Sequence, residues 1–303
     1  MTWVDMKIAF NELQKSANSN KNNVKIKWKK FEKIAIEVSK NPPIALDNLT
    51  LSIKKVSKGN KNITVLDHGC GGGLKAFYFV ALGFKNIFGV NVNYDVNYLN
   101  TILKKVFNIK EKRFYTTDGK KLPFQSSKFN FIFSLQVLEH LSDSFIDKYY
   151  SEEERVLKKK GYVYHEVPHI LVPFESHSRL WFAHWLPTFI QPIAYGVLKT
   201  IQLKENKLRQ GKEIARKFNG DFVKLRTPSY HYKKIQNHFG NFTDMTVERL
   251  IKKTDFRYYD KDNPVQLRKL LYFIFRLPFI GYYFAKFCKY FFMLQTLAQK
   301  TNN

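Results

Sequence analysis

The sequence predicts an α/β protein built on a doubly wound, mostly parallel sheet. From residue 63 onward, short apolar runs of strand length alternate with amphipathic stretches of helical spacing. The first of those runs ends in a glycine-rich turn, Asp67-His68-Gly69-Cys70-Gly71-Gly72-Gly73, from which a helix opens. At 303 residues and 44% hydrophobic content, the chain is long enough to bury a sheet on both faces.

Residues 1–62 mix short apolar clusters with Lys and Asn and read as an N-terminal helical extension, with a basic polar stretch over 18–30 around a lone Trp28. Residues 63–169 form the core. Strands are expected over 63–68, 86–92, 113–117, 129–135 and 161–167, and helices over 74–82, 96–107 and 143–158, where breakers are few. Residues 170–247 read as a substrate-facing insertion with remaining core elements. Their aromatic, proline-punctuated run to Tyr195 and the basic helical stretch 199–218 are too long for a plain connection. A further helix and strand are expected within 232–247. Residues 248–303 form a basic, aromatic C-terminal segment, strongly apolar over 265–289, and 291–299 suits a last strand or a continuing helix.

The chain carries 51 Lys and Arg against 25 Asp and Glu, a formal charge of +26. Such a surplus attracts an anionic partner, whether nucleic acid, the inner membrane leaflet or an anionic substrate. Residues 199–303 hold 22 basic and 8 acidic residues, whereas 63–198 are nearly balanced, so the excess lies on the flanks. A Lys- and Asn-rich composition accounts for the surplus equally well without any partner. Cys70 and Cys288 are far apart in unlike surroundings, which excludes a disulfide framework and suits a reducing, cytoplasmic compartment. No basic segment followed by an apolar run opens the chain, so no secretory signal is read there.

The glycine-rich turn suits a nucleoside ligand. Glycines let the backbone turn sharply and approach a ligand closely, and the helix amides beyond them are available as donors. The spacing differs from the dinucleotide GxGxxG pattern. Four ordered matches place it. An apolar strand leads into Asp67 and the turn Gly69, Cys70, Gly71, Gly73; Phe88-Gly89-Val90-Asn91 closes the second strand; Thr117-Asp118-Gly119 precedes Leu122-Pro123-Phe124; and Phe129 through Ser134-Leu135 runs into Val137-Leu138-Glu139-His140. Arg155-Val156-Leu157-Lys158-Lys159-Lys160-Gly161 then follows.

Over about 63–169 these motifs resemble the class I methyltransferases, whose Rossmann-like fold binds S-adenosylmethionine. The resemblance implies cofactor contacts from Asp67, Gly69, Cys70, Gly71, Gly73, Asn91, Asp118, Gly119 and Ser134. In the family the second strand usually ends in Asp or Glu, bonded to both ribose hydroxyls. Asn91 stands there instead, and an amide accepts one bond while donating another. Lys159 replaces the usual proline. His68 is as readily structural as cofactor-facing.

The histidines of Tyr164-His165-Glu166, Pro168-His169 and Glu175-Ser176-His177, with His184, raise zinc or iron, since imidazole and carboxylate ligate both. No HExxH-type spacing fixes two ligands on one helical face, so no metal site is assigned. The segment from Pro168-His169 through Glu175-Ser176-His177 to His184-Trp185-Leu186-Pro187 resembles a subgroup of bacterial methyltransferases encoded with cell-surface polysaccharide genes. For a hydroxyl acceptor, alignment and a base are needed, and histidine is the natural base near neutral pH. His169 and His177, then His140, are the candidates; hydrogen-bonded structural histidines are the alternative for each.

The expected activity is methyl transfer to a small-molecule, glycan or lipid-linked acceptor, on oxygen by preference, at the inner face of the membrane. The aromatic run 270–285, interrupted by Arg276 and Pro278 and flanked by Arg268, Lys269, Lys286 and Lys289, suits an interfacial anchor on anionic lipid rather than a span. A hairpin packed on the sheet is the competing reading. A binding protein that keeps the fold without turnover is a second function class, on the grounds of Asn91 and Lys159. Nucleic-acid modification ranks third: no RNA-binding appendage is recognised, and Asn41-Pro42-Pro43-Ile44 imitates an amino-methylation motif but precedes the first motif.

Overall fold

The structure is a computed structural model that describes residues 1–16, 23–43, 45–92, 95–255 and 266–301. Part of the polar stretch expected over 18–30, Ile44, and the start of the apolar run at 265 lie outside the described residues. Three helices, α1 (Trp3–Ser16), α2 (Asn23–Lys40) and α3 (Asp47–Ser57), precede the sheet. Then come β1 (Val65–His68), α4 (Leu74–Ala81), β2 (Ile87–Val92), α5 (Asn97–Phe107), β3 (Phe114–Thr117), β4 (Phe129–Leu135), α6 (Asp143–Val156) and β5 (Leu157–Val167). All five expected strands and the three helices between them are present. The last helix ends two residues early because Leu157 is buried and already pairs with Phe129, ahead of a register shift in β4.

The insertion opens with a short hairpin, β6 (Phe174–Glu175) and β7 (Leu180–Trp181), and continues through α7 (Gln191–Leu203) and α8 (Gly211–Arg216). The core resumes with α9 (Pro228–Phe239), β8 (Phe242–Asp244) and α10 (Thr246–Lys253). Two short apolar helices follow, α11 (Gln266–Ile274) and α12 (Ile280–Cys288), and β9 (Leu294–Gln299) comes last. The run 291–299 is therefore a strand for most of its length.

Seven strands make one sheet in the order β3-β2-β1-β4-β5-β9-β8. The first five are parallel, and β9 runs antiparallel between β5 and β8. Strand order reverses between β1 and β4, which opens a crevice at their carboxyl ends, where open α/β sheets bind ligands.

Alternation along the strands feeds two cores. On one face Val65, Phe131 and Phe133 pack with Phe77 and Phe79 of α4, Leu99 and Ile102 of α5, and Phe10, Phe31, Ile34 and Ile53 of the three leading helices. On the other, Leu66, Val90, Ile132 and Val163 meet Ile146 and Tyr150 of α6 and Ile235 and Phe239 of α9. The N-terminal extension thus covers one sheet face. Asn48 of α3 also donates to Gln295 Oε1 of β9 at 2.8 Å.

Between α11 and α12 the chain turns at Pro278, and Phe275 and Ala285 pack against Leu250 of α10. The pair is held by one edge. Phe273, Phe279, Tyr283 and Phe287 remain 63–85% exposed. Among the described residues, no helix is long and apolar enough to cross a membrane.

Candidate active site

The turn after β1 is shaped by backbone that only glycine adopts easily. Gly69, Gly71 and Gly73 have φ of 85°, 49° and 77°. The amides of Gly69 and Cys70 both donate to the carbonyl of Val90, which fastens the turn to β2. A Cβ on Gly69 would lie 2.4 Å from Val137 Cγ2, and one on Gly73 2.9 Å from Leu99 Cδ1, so these two positions are closed by packing. Among the described residues, a Cβ on Gly71 would meet nothing within 4 Å, so the backbone there is open to close approach.

Below the turn, Asp67 is 1% exposed and neither carboxylate oxygen has a hydrogen-bond partner among the described residues. Burial pushes its carboxyl up to about 7 against the opposing pull of Lys75. A buried acceptor of this kind calls for a donor from a ligand, preferably a cationic one. Cys70 is buried and its thiol is held well above the usual range by burial and by Asp67, so it is inert packing within the turn.

Asn91, next to last in β2, is half-buried and in register with Thr116 of β3. Asp118 follows β3, exposed, and accepts the Lys120 amide at 2.9 Å, while Gly119 takes φ 79°. These residues lie at the carboxyl ends of β1, β2 and β3, along one rim of the sheet. Ser134 is different. Its hydroxyl is buried and bonded to Tyr149 at 2.8 Å, and Tyr149 in turn donates to the carbonyl of His68, so only the Ser134 backbone remains for a ligand. The His68 ring faces away as well. It stacks on Tyr149 at 3.8 Å and shares Glu153 with His165, at 2.9 and 2.8 Å.

The loop after β4 brings the second group together. Glu139, 1% exposed, has no hydrogen-bond partner at either oxygen among the described residues, and burial pushes its carboxyl up to about 7. His140 Nε2 and His177 Nε2 each lie 3.9 Å from Glu139 Oε1. His140 donates from Nδ1 to the carbonyl of Phe222 at 2.8 Å, and His177 donates from Nδ1 to Glu175 Oε1 at 2.7 Å. Glu175 holds the His177 imidazole above its usual range, whereas burial lowers that of His140.

His169 does not join them. Its Nε2 donates to the carbonyl of Phe292 at 2.8 Å, its Nδ1 accepts the Leu171 amide, and burial drives its pKa to about 4. With both nitrogens engaged, it has no free lone pair for an acceptor proton, and the expectation of a base at this position is corrected.

Sequence reasoning missed Arg226. Its buried guanidinium bonds Asp143 Oδ1 and the carbonyls of Leu138 and Leu141, while Lys224 N donates to Glu139 O at 2.7 Å. The segment 222–226 therefore clamps the loop that carries Glu139 and His140. An Arg in a long insertion gives no local signal of a partner some 85 residues earlier.

Residues 66–165 match the family described as methyltransferase domain. They form a class I methyltransferase domain. The methyltransferase segment is 30% identical over 115 residues to a ubiquinone biosynthesis O-methyltransferase of Pelagibacter ubique, covering 37% of this chain and 45% of that protein. It is 31% identical over 118 residues to an uncharacterized protein of Methanocaldococcus jannaschii, covering 39% and 46%. The match thus spans less than half the length of either curated relative. Among solved structures, geranyl diphosphate C-methyltransferase from Streptomyces coelicolor aligns with a TM-score of 0.44 at 12% identity over 94% of this chain and 86% of that one. The methyltransferase turn fits S-adenosylmethionine on its own geometry, through the open backbone at Gly71 and the buried Asp67 carboxylate, which has no hydrogen-bond partner among the described residues.

Proposed function

We propose that this protein is an S-adenosylmethionine-dependent methyltransferase that acts on an oxygen of an acceptor with a large apolar part, such as a lipid-linked saccharide, at a membrane surface. The observation that carries the reading is the buried Asp67 carboxylate, without a hydrogen-bond partner among the described residues, beside a glycine turn in which a Cβ on Gly71 would meet no atom within 4 Å. The cofactor, when bound, supplies an electrophilic methyl group. The chain's own residues bind and align. Asp67 would receive the cofactor's cationic end, Asn91 and Asp118 its ribose and adenine, and the glycine turn would admit its backbone-hugging middle.

Glu139 and His140 stand on the loop that packs over that turn through Val137, and His177 reaches them from the turn between β6 and β7, which supports the three as the acceptor end of the site. Their free nitrogens and carboxylate are the groups able to hold a hydroxyl and take its proton. An apolar cavity of about 770 Å³ begins just past His169 and is lined by Ile170, Leu171, Trp185, Leu186, Phe287 and Tyr290, which supports a lipid-like portion on the acceptor. The exposed aromatic edge of α11 and α12 supports work at an interface.

Calorimetry with S-adenosylmethionine tests the first half: saturable one-to-one binding is expected, and a folded sample that gives no heat refutes it. Mass spectrometry of surface glycans and lipids from a deletion strain, searching for a species lighter by one methyl, tests the acceptor class.

A further inference from the structure

We infer that Glu139, His140 and His177 form a binding site for one divalent transition-metal ion. One ligand atom from each lies within 4.8 Å of the others, on a loop after β4 and a turn between β6 and β7 that are 37 residues apart in sequence. Ligand atoms around a tetrahedral ion at ~2.0–2.2 Å stand roughly 3.3–3.6 Å apart, so the 3.9 Å separations from Glu139 to each Nε2 need to close by only a few tenths of an ångström.

The hydrogen bonds behind these residues argue the same way. A carbonyl only accepts, so the Phe222 oxygen fixes the proton of His140 on Nδ1, and the Glu175 carboxylate does so for His177. Each ring therefore turns a bare Nε2 toward Glu139. Orientation of an imidazole by a carboxylate or a backbone carbonyl on its far nitrogen is the arrangement found behind metal-bound histidine. Glu175 is itself held by the amides of His177 and Ser178.

With both rings neutral, three acceptors converge with no donor among them. The Glu139 carboxylate is 1% exposed and has no hydrogen-bond partner among the described residues, an arrangement that is unfavourable without a cation. A proton on His177 does not answer for it, because 3.9 Å is beyond hydrogen-bond reach. A set of two imidazoles and one carboxylate suits Zn²⁺, Fe²⁺ or Co²⁺ better than Mg²⁺ or Ca²⁺, and leaves coordination positions open. The arginine clamp and the bond from Lys224 to the Glu139 carbonyl hold the loop in register for this.

The inference concerns the acceptor end of the proposed methyltransferase site, but its test needs neither cofactor nor acceptor, so the two readings fail separately. Full-length protein stripped with chelator is titrated with CoCl₂, followed by d–d absorption, and with ZnCl₂ by calorimetry. One saturable equivalent of Co²⁺, displaced by Zn²⁺, is expected. Glu175→Gln should weaken binding by roughly 10- to 100-fold, and His177→Ala and His140→Ala by more than that. His238→Ala, beside Asp147 and Glu154 and outside the three ligands, should change nothing, and circular dichroism verifies folding of each variant. Lack of a saturable Co²⁺ site in the folded wild-type protein overturns the inference. So does unchanged affinity in the His140→Ala/His177→Ala double variant, or a thiolate-to-cobalt band that places the ion on a cysteine.

Discussion

Burial of Asp67 without a donor sets an expected pH dependence at the level of single residues. Its folded-state pKa, about 7, lies above the ordinary 3.8, so the folded protein keeps a proton that the unfolded chain has released. The stability this confers is complete below 3.8 and is lost as pH rises through about 7. A cationic ligand favours the ionised form. Cofactor affinity should therefore rise several-fold between about pH 6 and about pH 7.5, and Asp67→Asn should flatten that rise. The variant is needed because burial pushes Glu139 up in the same direction. Isothermal titration across this range checks it. At Gly71 a Cβ would meet no atom of the described residues within 4 Å, so Gly71→Val should fold with a strain of about 1–2 kcal/mol and lose cofactor binding. Unchanged affinity in that variant contradicts the placement. Asn91→Asp exchanges a neutral hydrogen bond worth about 1 kcal/mol for a charge-assisted one of about 1.5–3 kcal/mol, and should tighten cofactor binding several-fold in the same assay. These positions were legible because glycine φ requirements and strand-end carboxylates leave local marks. His169 was misread because nothing local announces that Phe292, over 120 residues later, takes its Nε2 proton.

Helix α6 shows what a side chain contributes when it braces two strands. Glu153 is fully buried and accepts from His68 of β1 and His165 of β5. Though burial alone would raise its pKa, the two imidazoles hold its carboxyl down at about 2, below the ordinary 4.5. Its stabilisation is present above 4.5 and is lost as pH falls from there toward about 2. Glu153→Gln removes one member of a buried ionic cluster and should lower unfolding stability by about 3–5 kcal/mol, read from urea midpoints at neutral pH. A loss below 1 kcal/mol would show that the cluster is dispensable. In the sequence, Ser151-Glu152-Glu153-Glu154-Arg155 looks like a solvated run. Ile146, Tyr149, Tyr150 and Glu153 nonetheless share one helical face, and that spacing marks Glu153 as inward-facing. The five parallel strands were legible from their apolar runs. The β6–β7 hairpin was not, because two-residue strands leave no periodicity to read.

For the whole molecule, the basic and aromatic C-terminal region has a geometry that periodicity alone did not supply. Phe275 packs inward at 4% exposure, whereas Phe273, Phe279 and Phe287 point outward. Full-length protein should float with anionic liposomes at low salt and be only partly released by added salt, since attraction of about 1 kcal/mol per basic residue is screened over ~8 Å while apolar insertion is not. Replacing Phe273, Phe279 and Phe287 together by Ser should abolish most of the flotation; wild-type protein that stays with the soluble fraction refutes the anchor. Deleting the region wholesale is no test, because β9 belongs to the sheet. That placement also governs how the chain is made. β9 lies between β5 and β8, so β8, synthesised about fifty residues earlier, has no strand to join until residues 294–299 leave the ribosome. At ~5–20 residues per second this interval lasts roughly 3–10 s, with the outer edge of β5 bare and open to strands of neighbouring nascent chains.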